Sequence, residues 1–339
     1  MGPLLVLAIG LGCGDLQAML GGGDDDTIVA AAEQKLSAGD LPGAAAEYQG
    51  LAASHPDSVS VAVGLSYVQL LQGDLDAADG TLAAIEPKAG EKVGEIKLRR
   101  ALVALEKREL EQVETFGVDS GLPEGKLLAA EAFLVELDSD RALELLRELS
   151  ADGGVVGETA RTYLELLESG NQHKGALAEV SALWALGDRA QAVESVEDSL
   201  KNLPEEASKG NQILLWAGRA VTSGRPDIAR NLLEDTFPPE GQQWRYQATL
   251  AMIEIADGNP DDGITILQGL REAPDVPADG VADAIATACG VAKDPDVARR
   301  LVEGMESSAV ARCLHQAGAS ADAAARAPTG GLKSFLENP

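Results

Sequence analysis

Apolar residues follow a helical spacing along most of the chain, and turn residues interrupt that spacing at regular intervals. The first clear example is AAEQKLSAGDLPGAAAEYQGLAASHP, in which one Ala-rich helix is predicted to end at Gly39 and a second to begin at Leu41. Counting from Gly39, Ala44 lies at +5, Tyr48 at +9 and Pro56 at +17. The pattern predicts two antiparallel helices, with glycine in the turn and a small residue where the helices approach closely.

The same pattern recurs downstream at a nearly constant period. Gly73 follows Gly39 by 34 residues. Later turns, spaced by 37, 34 and 35 residues, are predicted at Gly187, Gly224, Gly258 and Lys293. Proline follows the last three turns, at Pro226, Pro260 and Pro295, where a helix tolerates it because the missing N–H has no intrahelical partner. A period near 34 residues predicts an array of stacked helical hairpins.

These offsets resemble the second half of a tetratricopeptide repeat, in which a glycine turns the chain and a small residue lets the paired helices approach. The resemblance implies an all-α fold. It also implies that the hairpins stack antiparallel into an α-solenoid, a superhelix that binds other proteins.

The pattern divides the chain into six segments. We expect a signal-like segment at 1–13, a Gly- and Asp-rich tether at 14–26, two hairpins at 27–88, degenerate helical repeats at 89–172, further hairpins including a final one at 173–328, and a tail at 329–339. In the degenerate segment Val113 and Ala142 are the expected small contact positions. The stretch TARTYLELLESG predicts one more helix, without an assigned partner.

The N-terminal residues resemble a bacterial lipoprotein signal. Residues 3–12 read PLLVLAIGLG, an apolar run too short to span a bilayer and followed directly by Cys13. The resemblance implies that Cys13 is lipidated. Two features depart from it, because no Lys or Arg precedes Lys35, and Gly10 and Leu11 stand where such signals prefer Leu and a small residue. The alternative is an apolar N-terminus with an ordinary buried cysteine.

The net charge narrows the range of partners. Lys and Arg number 27 against 55 Asp and Glu, which gives a formal charge of −28. An anionic surface repels nucleic acid and anionic lipid, so we expect neither as a partner of the folded part. Membrane contact is expected only through a lipid anchor.

No constellation of residues predicts catalysis. His55, His173 and His315 lie far apart in the repeat, so no two are expected to share a metal ion or to activate a nucleophile. No strand pattern precedes any glycine, which argues against a phosphate-binding loop. The sequence therefore predicts a chain that is not an enzyme and that takes no metal, cofactor or small-molecule substrate.

Cys289 and Cys313 both fall late in the first helix of successive hairpins, and such helices lie side by side in a solenoid. In an oxidising compartment the two cysteines are candidates for a disulfide. The alternative is a pair of small buried thiols.

In tetratricopeptide arrays the first helix of each hairpin lines the concave face, at positions three and six residues before the turn glycine and at earlier helical steps. Carried onto this sequence, the resemblance implies a partner groove lined by Trp184, Leu214, Val221, Arg245, Met252 and Ile255. The alternative is that several of these residues pack between hairpins. An apolar groove in an acidic protein suits a partner helix or extended segment with basic flanks. Lys97, Arg99 and Arg100 are expected to form a solvated face.

The expected function is a protein-binding scaffold held in the bacterial cell envelope through Cys13, facing the periplasm or the exterior. The alternative is a soluble cytoplasmic adaptor or co-chaperone with the same groove.

Overall fold

The computed structural model describes residues 26–37, 39–204, 207–234, 236–238, 240–305, 308–319 and 322–323. The cysteine expected to carry lipid, Cys13, lies outside these residues, as do most of the expected tether and the tail at 329–339. Within them the chain is all α-helical apart from turns and two short 3₁₀ segments, Glu86–Lys88 and Gly90–Lys92. The predicted fold class is confirmed.

The chain divides into two compact units between residues 188 and 189. Unit 1 contains α1 (Asp26–Ser37), α2 (Leu41–Ser54), α3 (Val59–Leu71), α4 (Leu75–Ile85), α5 (Val93–Glu106), α6 (Leu110–Ser120), α7 (Pro123–Val135), α8 (Ser139–Leu149), α9 (Gly154–Leu167) and α10 (Gln172–Ala185). Unit 2 contains α11 (Arg189–Lys201), α12 (Ala207–Thr222), α13 (Pro226–Leu233), α14 (Gln243–Ala256), α15 (Pro260–Glu272), α16 (Ala278–Ala292), α17 (Pro295–Leu301) and α18 (Ser308–Gln316).

The Gly-Asp pairs of the sequence end one helix and begin the next. Gly39 adopts a left-handed conformation with φ of 78°, which favours glycine because it has no Cβ. The Asp40 N–H then donates to the carbonyl of Lys35 at 2.9 Å and closes the first helix. The Asp40 carboxylate in turn accepts from the Gly43 N–H at 2.9 Å and caps the second helix. Two adjacent residues therefore specify the whole hairpin turn.

The hairpins of the irregular middle keep this turn without glycine. Arg108 and Leu137 adopt φ of 61° and 64° between the helices of their hairpins. The same closing hydrogen bond follows each of them, from the Asp138 N–H to the Phe133 carbonyl at 2.8 Å in the second case. The degenerate repeats are therefore true hairpins whose turns lack the residue that marks the others.

The small contact positions lie where the repeat predicts them. Counted from these turns, the residue at +5 is fully buried in all four hairpins of unit 1, at Ala44, Ala78, Val113 and Ala142. The residue at +9 is buried in all four as well, at Tyr48, Leu82, Gly117 and Leu146. The Tyr48 ring rests directly on Gly64 of α3, where an added Cβ would lie 2.1 Å from the ring. The register of the hairpins is thus set by a few tightly packed positions.

Helix α9 is the element that departs from the repeat. It follows the α7–α8 hairpin and packs with α7, α8 and α10 around a common core that includes Phe133, Leu146, Tyr163 and Ala178. Glu131 of α7 is buried in this region, and the Tyr163 hydroxyl donates to its Oε1 at 3.1 Å. Burial raises the pKa of Glu131 to about 8, although the hydrogen bond from Tyr163 lowers it.

The basic cluster of α5 is not the solvated face expected from the sequence. The Arg100 guanidinium bonds to Asp79 and Glu86 at 2.8 Å each, and it lies 4.1 Å from the centroid of the Phe116 ring. The side chains of Arg99 and Arg100 are only 17% and 16% exposed. Arg100 therefore ties α5 to the preceding hairpin and to α6 instead of facing solvent.

In unit 2 three hairpins stack in order, α12–α13, α14–α15 and α16–α17, with α11 before them and α18 after them. A disulfide joins Cys289 of α16 to Cys313 of α18, with Cα atoms 5.2 Å apart. Among the helices that the structure describes, none is both long and apolar enough to cross a bilayer.

Candidate functional site

A groove of about 670 Å³ runs across the first helices of the three hairpins of unit 2. Each helix contributes one stripe of side chains, because residues three and four apart share a helix face. The lining residues are Asn211, Leu214, Leu215, Gly218, Arg219 and Thr222 on α12, Gln242, Trp244, Arg245, Ala248, Thr249 and Met252 at or on α14, and Gly280, Asp283, Ala284 and Thr287 on α16.

The three stripes follow one register relative to the turns. Gly218, Met252 and Thr287 each lie six residues before the turn residue of their hairpin, at Gly224, Gly258 and Lys293 respectively. The other positions common to all three helices lie nine, ten and thirteen residues before the turn. The groove is therefore a repeating feature of the array, built from the same positions of successive hairpins.

The floor of the groove is apolar. Leu214 and Met252 are each 7% exposed, whereas Leu215 presents 48% of its surface although it is a large hydrophobic residue. The Trp244 ring lies against Gly280 of α16, where an added Cβ would come within 2.6 Å of the ring. Glycine at this position lets the indole bridge from α14 to α16 and form part of the groove.

Two arginines bring positive charge into the groove. The Arg219 guanidinium lies 4.4 Å from the Trp216 ring centroid, and that of Arg245 lies 5.2 Å from the Trp244 centroid. The carboxylate of the lining acid, Asp283, is 2.8 Å from the Arg312 guanidinium of α18. The ionisable residues that line the groove are therefore two arginines and one aspartate, and the aspartate is paired with Arg312.

The structure brings together three of the six residues expected in the groove. Leu214, Arg245 and Met252 line it side by side. Val221 and Ile255, at the position three residues before the turn, are buried, and Ile255 contacts the backbone position of Gly263 on α15. Ile255 therefore faces the second helix of its own hairpin instead of the groove. Trp184 lies on α10 of unit 1 and is half-buried.

Several lining residues were not predicted from the sequence, among them Leu215, Arg219, Trp244, Asp283 and Thr287. Two of them lie at repeated positions of the hairpins. Leu215 is nine residues before its turn and Asp283 is ten residues before its turn, so these spacings could have predicted both. The turn at Lys293 was predicted, and it has φ of 50° where the other hairpins of this unit have glycine, but no residue of α16 was assigned to the groove.

The chemistry of the groove suits binding. Arg219, Arg245 and Asp283 are the only ionisable residues in its lining. Across the described residues, no three His, Cys, Asp or Glu side chains are grouped so that they could hold a metal ion. What the groove offers is apolar contact between polar and cationic edges.

No protein-family model matches the sequence, and no curated protein matches it. Among solved structures, the chain is similar to the crystal structure of the P58(IPK) TPR domain, with 15% identity and coverage of 87% of this chain and 98% of that one. The TM-score of this match is 0.20.

Proposed function

We propose that the protein is a non-catalytic scaffold and that the groove of unit 2 holds a helix or an extended segment of a partner protein. The observation that carries this proposal is the groove across three successive hairpins, with an apolar floor and the exposed side chain of Leu215. Specific binding sites join buried apolar anchors to a polar rim, and this groove has both.

The length of the groove favours a polypeptide over a small molecule. Its lining extends from Asn211 on α12 to Thr287 on α16, and the same stripe repeats on each helix. A small-molecule site is usually a cavity that encloses its ligand, with a few convergent polar groups. Repeated stripes instead match the repeated side chains of a helix or strand.

Photocrosslinking in the native host tests this proposal. A photoreactive amino acid in place of Leu215 is expected to give a discrete adduct with a partner protein, because this side chain is exposed within the groove. The same residue in place of Thr265, an exposed position on α15, is the matched control and is expected to give none. Trp244→Ala, combined with the Leu215 probe, should strongly reduce the adduct. Equal adducts from both positions, or adducts indifferent to Trp244→Ala, would place the binding surface elsewhere.

We further propose that Cys13 is lipidated and anchors the protein in the bacterial cell envelope. The apolar run before Cys13 supports this proposal, and so does the Cys289–Cys313 disulfide. Structural disulfides persist in oxidising compartments outside the cytoplasm. In the cytoplasm itself, thiols are kept reduced. The alternative is a soluble cytoplasmic adaptor, in which both cysteines would be free thiols.

Metabolic labelling tests the anchor. Labelled palmitate is expected to enter the wild-type protein and to be lost completely in Cys13→Ala, because the thiol at that position would be the acceptor. Cys289→Ala with Cys313→Ala is the matched control and should keep the label. An unlabelled wild-type protein in the soluble fraction would remove the anchor and favour the cytoplasmic adaptor.

A further inference from the structure

Helix α16 is the groove wall with the weakest support from its own hairpin. The helices α12 and α14 each pack closely on the second helix of their hairpin, α13 and α15. Helix α17, the hairpin partner of α16, has only 7 residues, Pro295–Leu301, and packs less extensively on α16 than α18 does. The place of α16 in the groove, where it contributes Gly280, Asp283, Ala284 and Thr287, therefore depends on α18.

Two links join α18 to the part of α16 that lines the groove. The Arg312 guanidinium of α18 is 2.8 Å from the Asp283 carboxylate, but these side chains are 52% and 67% exposed, so water and salt weaken the pair. The second link is the disulfide between Cys289 and Cys313, which lies two residues beyond Thr287 of the lining. Both cysteines are fully buried. The covalent bond, and not the ion pair, therefore decides whether α18 stays in place.

Helix α18 is too short to hold this position by itself. An isolated helix of its 9 residues is marginal in water, so it needs its contacts with α16 to stay folded. The disulfide restricts the conformations of the undocked state, because it fixes Cys313 next to α16. Without the bond, α18 undocks in a fraction of the molecules, and α16 loses its most extensive neighbour. The affinity of a ligand then falls in proportion to the fraction of molecules whose groove is complete.

We propose that the groove binds its partner protein tightly only after the Cys289–Cys313 disulfide has formed, so that oxidation of this chain regulates the site. This rests on the proposed function of the groove and adds its regulation. Thiols stay reduced in the cytoplasm. A chain that has not left that compartment is then unable to hold the partner, and binding is confined to the compartment in which the bond forms.

Closure of the groove is a two-electron oxidation of the two cysteines. The thiolate of one cysteine attacks the disulfide of a donor, such as a thiol–disulfide exchange protein, and displaces one donor thiolate. The thiolate of the other cysteine then attacks the mixed disulfide, which forms the Cys289–Cys313 bond and releases the donor as a dithiol that carries the two protons. Because both cysteines are buried in the folded unit, this exchange has to precede the docking of α18.

The test titrates the purified full-length protein, with the photoreactive residue at Leu215, into an extract of the native host. The measured quantity is the protein concentration that gives half of the maximal adduct with the partner. The double variant Cys289→Ala, Cys313→Ala is expected to need about tenfold more protein than the oxidised wild-type form, because its groove is complete in a smaller fraction of molecules. Wild-type protein that has been reduced and then freed of reductant should behave like the double variant.

Arg312→Ala is the matched control, because it removes the exposed link between α18 and α16 and keeps the disulfide. The half-maximal concentration should change by about twofold or less in this variant. Reduction of the double variant should change nothing, which assigns the effect in the wild-type protein to these two cysteines. Hydrogen exchange checks the fold of the double variant. Peptides of α16 and α18 should lose protection, whereas those of α12 to α15 should keep it.

The alternative outcomes separate the regulation from the binding itself. If the oxidised wild-type protein and the double variant reach half-maximal adduct at the same concentration, the groove binds its partner without the bridge, and only the regulation is overturned. If α12 and α14 lose protection together with α16, the disulfide supports the whole unit instead of one wall, which also overturns it. If the oxidised wild-type protein gives no adduct, the proposed function itself fails.

Discussion

Glu131→Gln is expected to stabilise the α7–α10 core by about 4 kcal/mol at pH 8 and to leave its stability almost unchanged below pH 4.5. Burial raises the pKa of Glu131 to about 8, so the folded chain holds a proton that the unfolded chain releases near pH 4.5. The stability contributed by the protonated acid is complete below pH 4.5 and is lost as the pH rises toward 8. Glutamine keeps the size and neutrality of the protonated side chain and removes this dependence.

Hydrogen exchange resolved to peptides of α7 and α9 measures this effect as the free energy of local opening at each pH. Glu144 is an exposed acid on α8, and Glu144→Gln is the matched control. It should leave the slope of the opening free energy against pH unchanged. Glu114 of α6 contributes in the same direction, because burial and the nearby Glu136 raise its pKa to about 7. The Glu131→Gln protein should therefore retain part of the slope, and adding Glu114→Gln should remove most of the rest. A slope that Glu131→Gln leaves intact would show that this carboxyl is not protonated in the folded chain.

The positions that set the hairpins could be found from the sequence wherever the turn kept its glycine. Gly39 and Asp40 specify both the left-handed turn and the cap of the next helix, so the local sequence is sufficient to predict the hairpin. Arg108 and Leu137 adopt the same left-handed conformation, which ordinary side chains disfavour. There the surrounding helix packing, and not the turn residue, decides the backbone, and no local signal marks it. The buried +5 residues Val113 and Ala142 were nevertheless found, because small size is required by contact and not by the turn.

The groove could be predicted in part, because its register depends on how neighbouring hairpins cross. The position six residues before the turn was expected to face inward, and Met252 does so. The position three residues before the turn was also expected to do so, but Val221 is buried. A single helix has no feature that distinguishes these two positions, since both lie on its apolar side. The distinction arises only when the second helix of the hairpin packs against it.

Total charge gave no guide to the charge of the groove. The sum of −28 includes acids on many outer surfaces, whereas the groove is lined by few ionisable residues. Arg219 and Arg245 lie in different repeats, so their convergence is a property of the stacked array.

Loss of the Cys289–Cys313 disulfide is expected to destabilise unit 2 by about 3 kcal/mol, since the bridge closes a loop with a sequence separation of 24. For a unit of this size the corresponding fall in melting temperature is about 6–12 °C. Helix α18 should open first, because it has only 9 residues and packs mainly on α16. Thermal unfolding measures the effect in the double variant Cys289→Ala, Cys313→Ala and in the wild-type protein, with and without reductant.

Reductant should leave the melting temperature of the double variant unchanged. This control separates the loss of the disulfide from other effects of reduction. If the unreduced wild-type protein exposes two reactive thiols on unfolding and melts with the variant, the cysteines are unpaired, and the main structural support for an exported protein is removed.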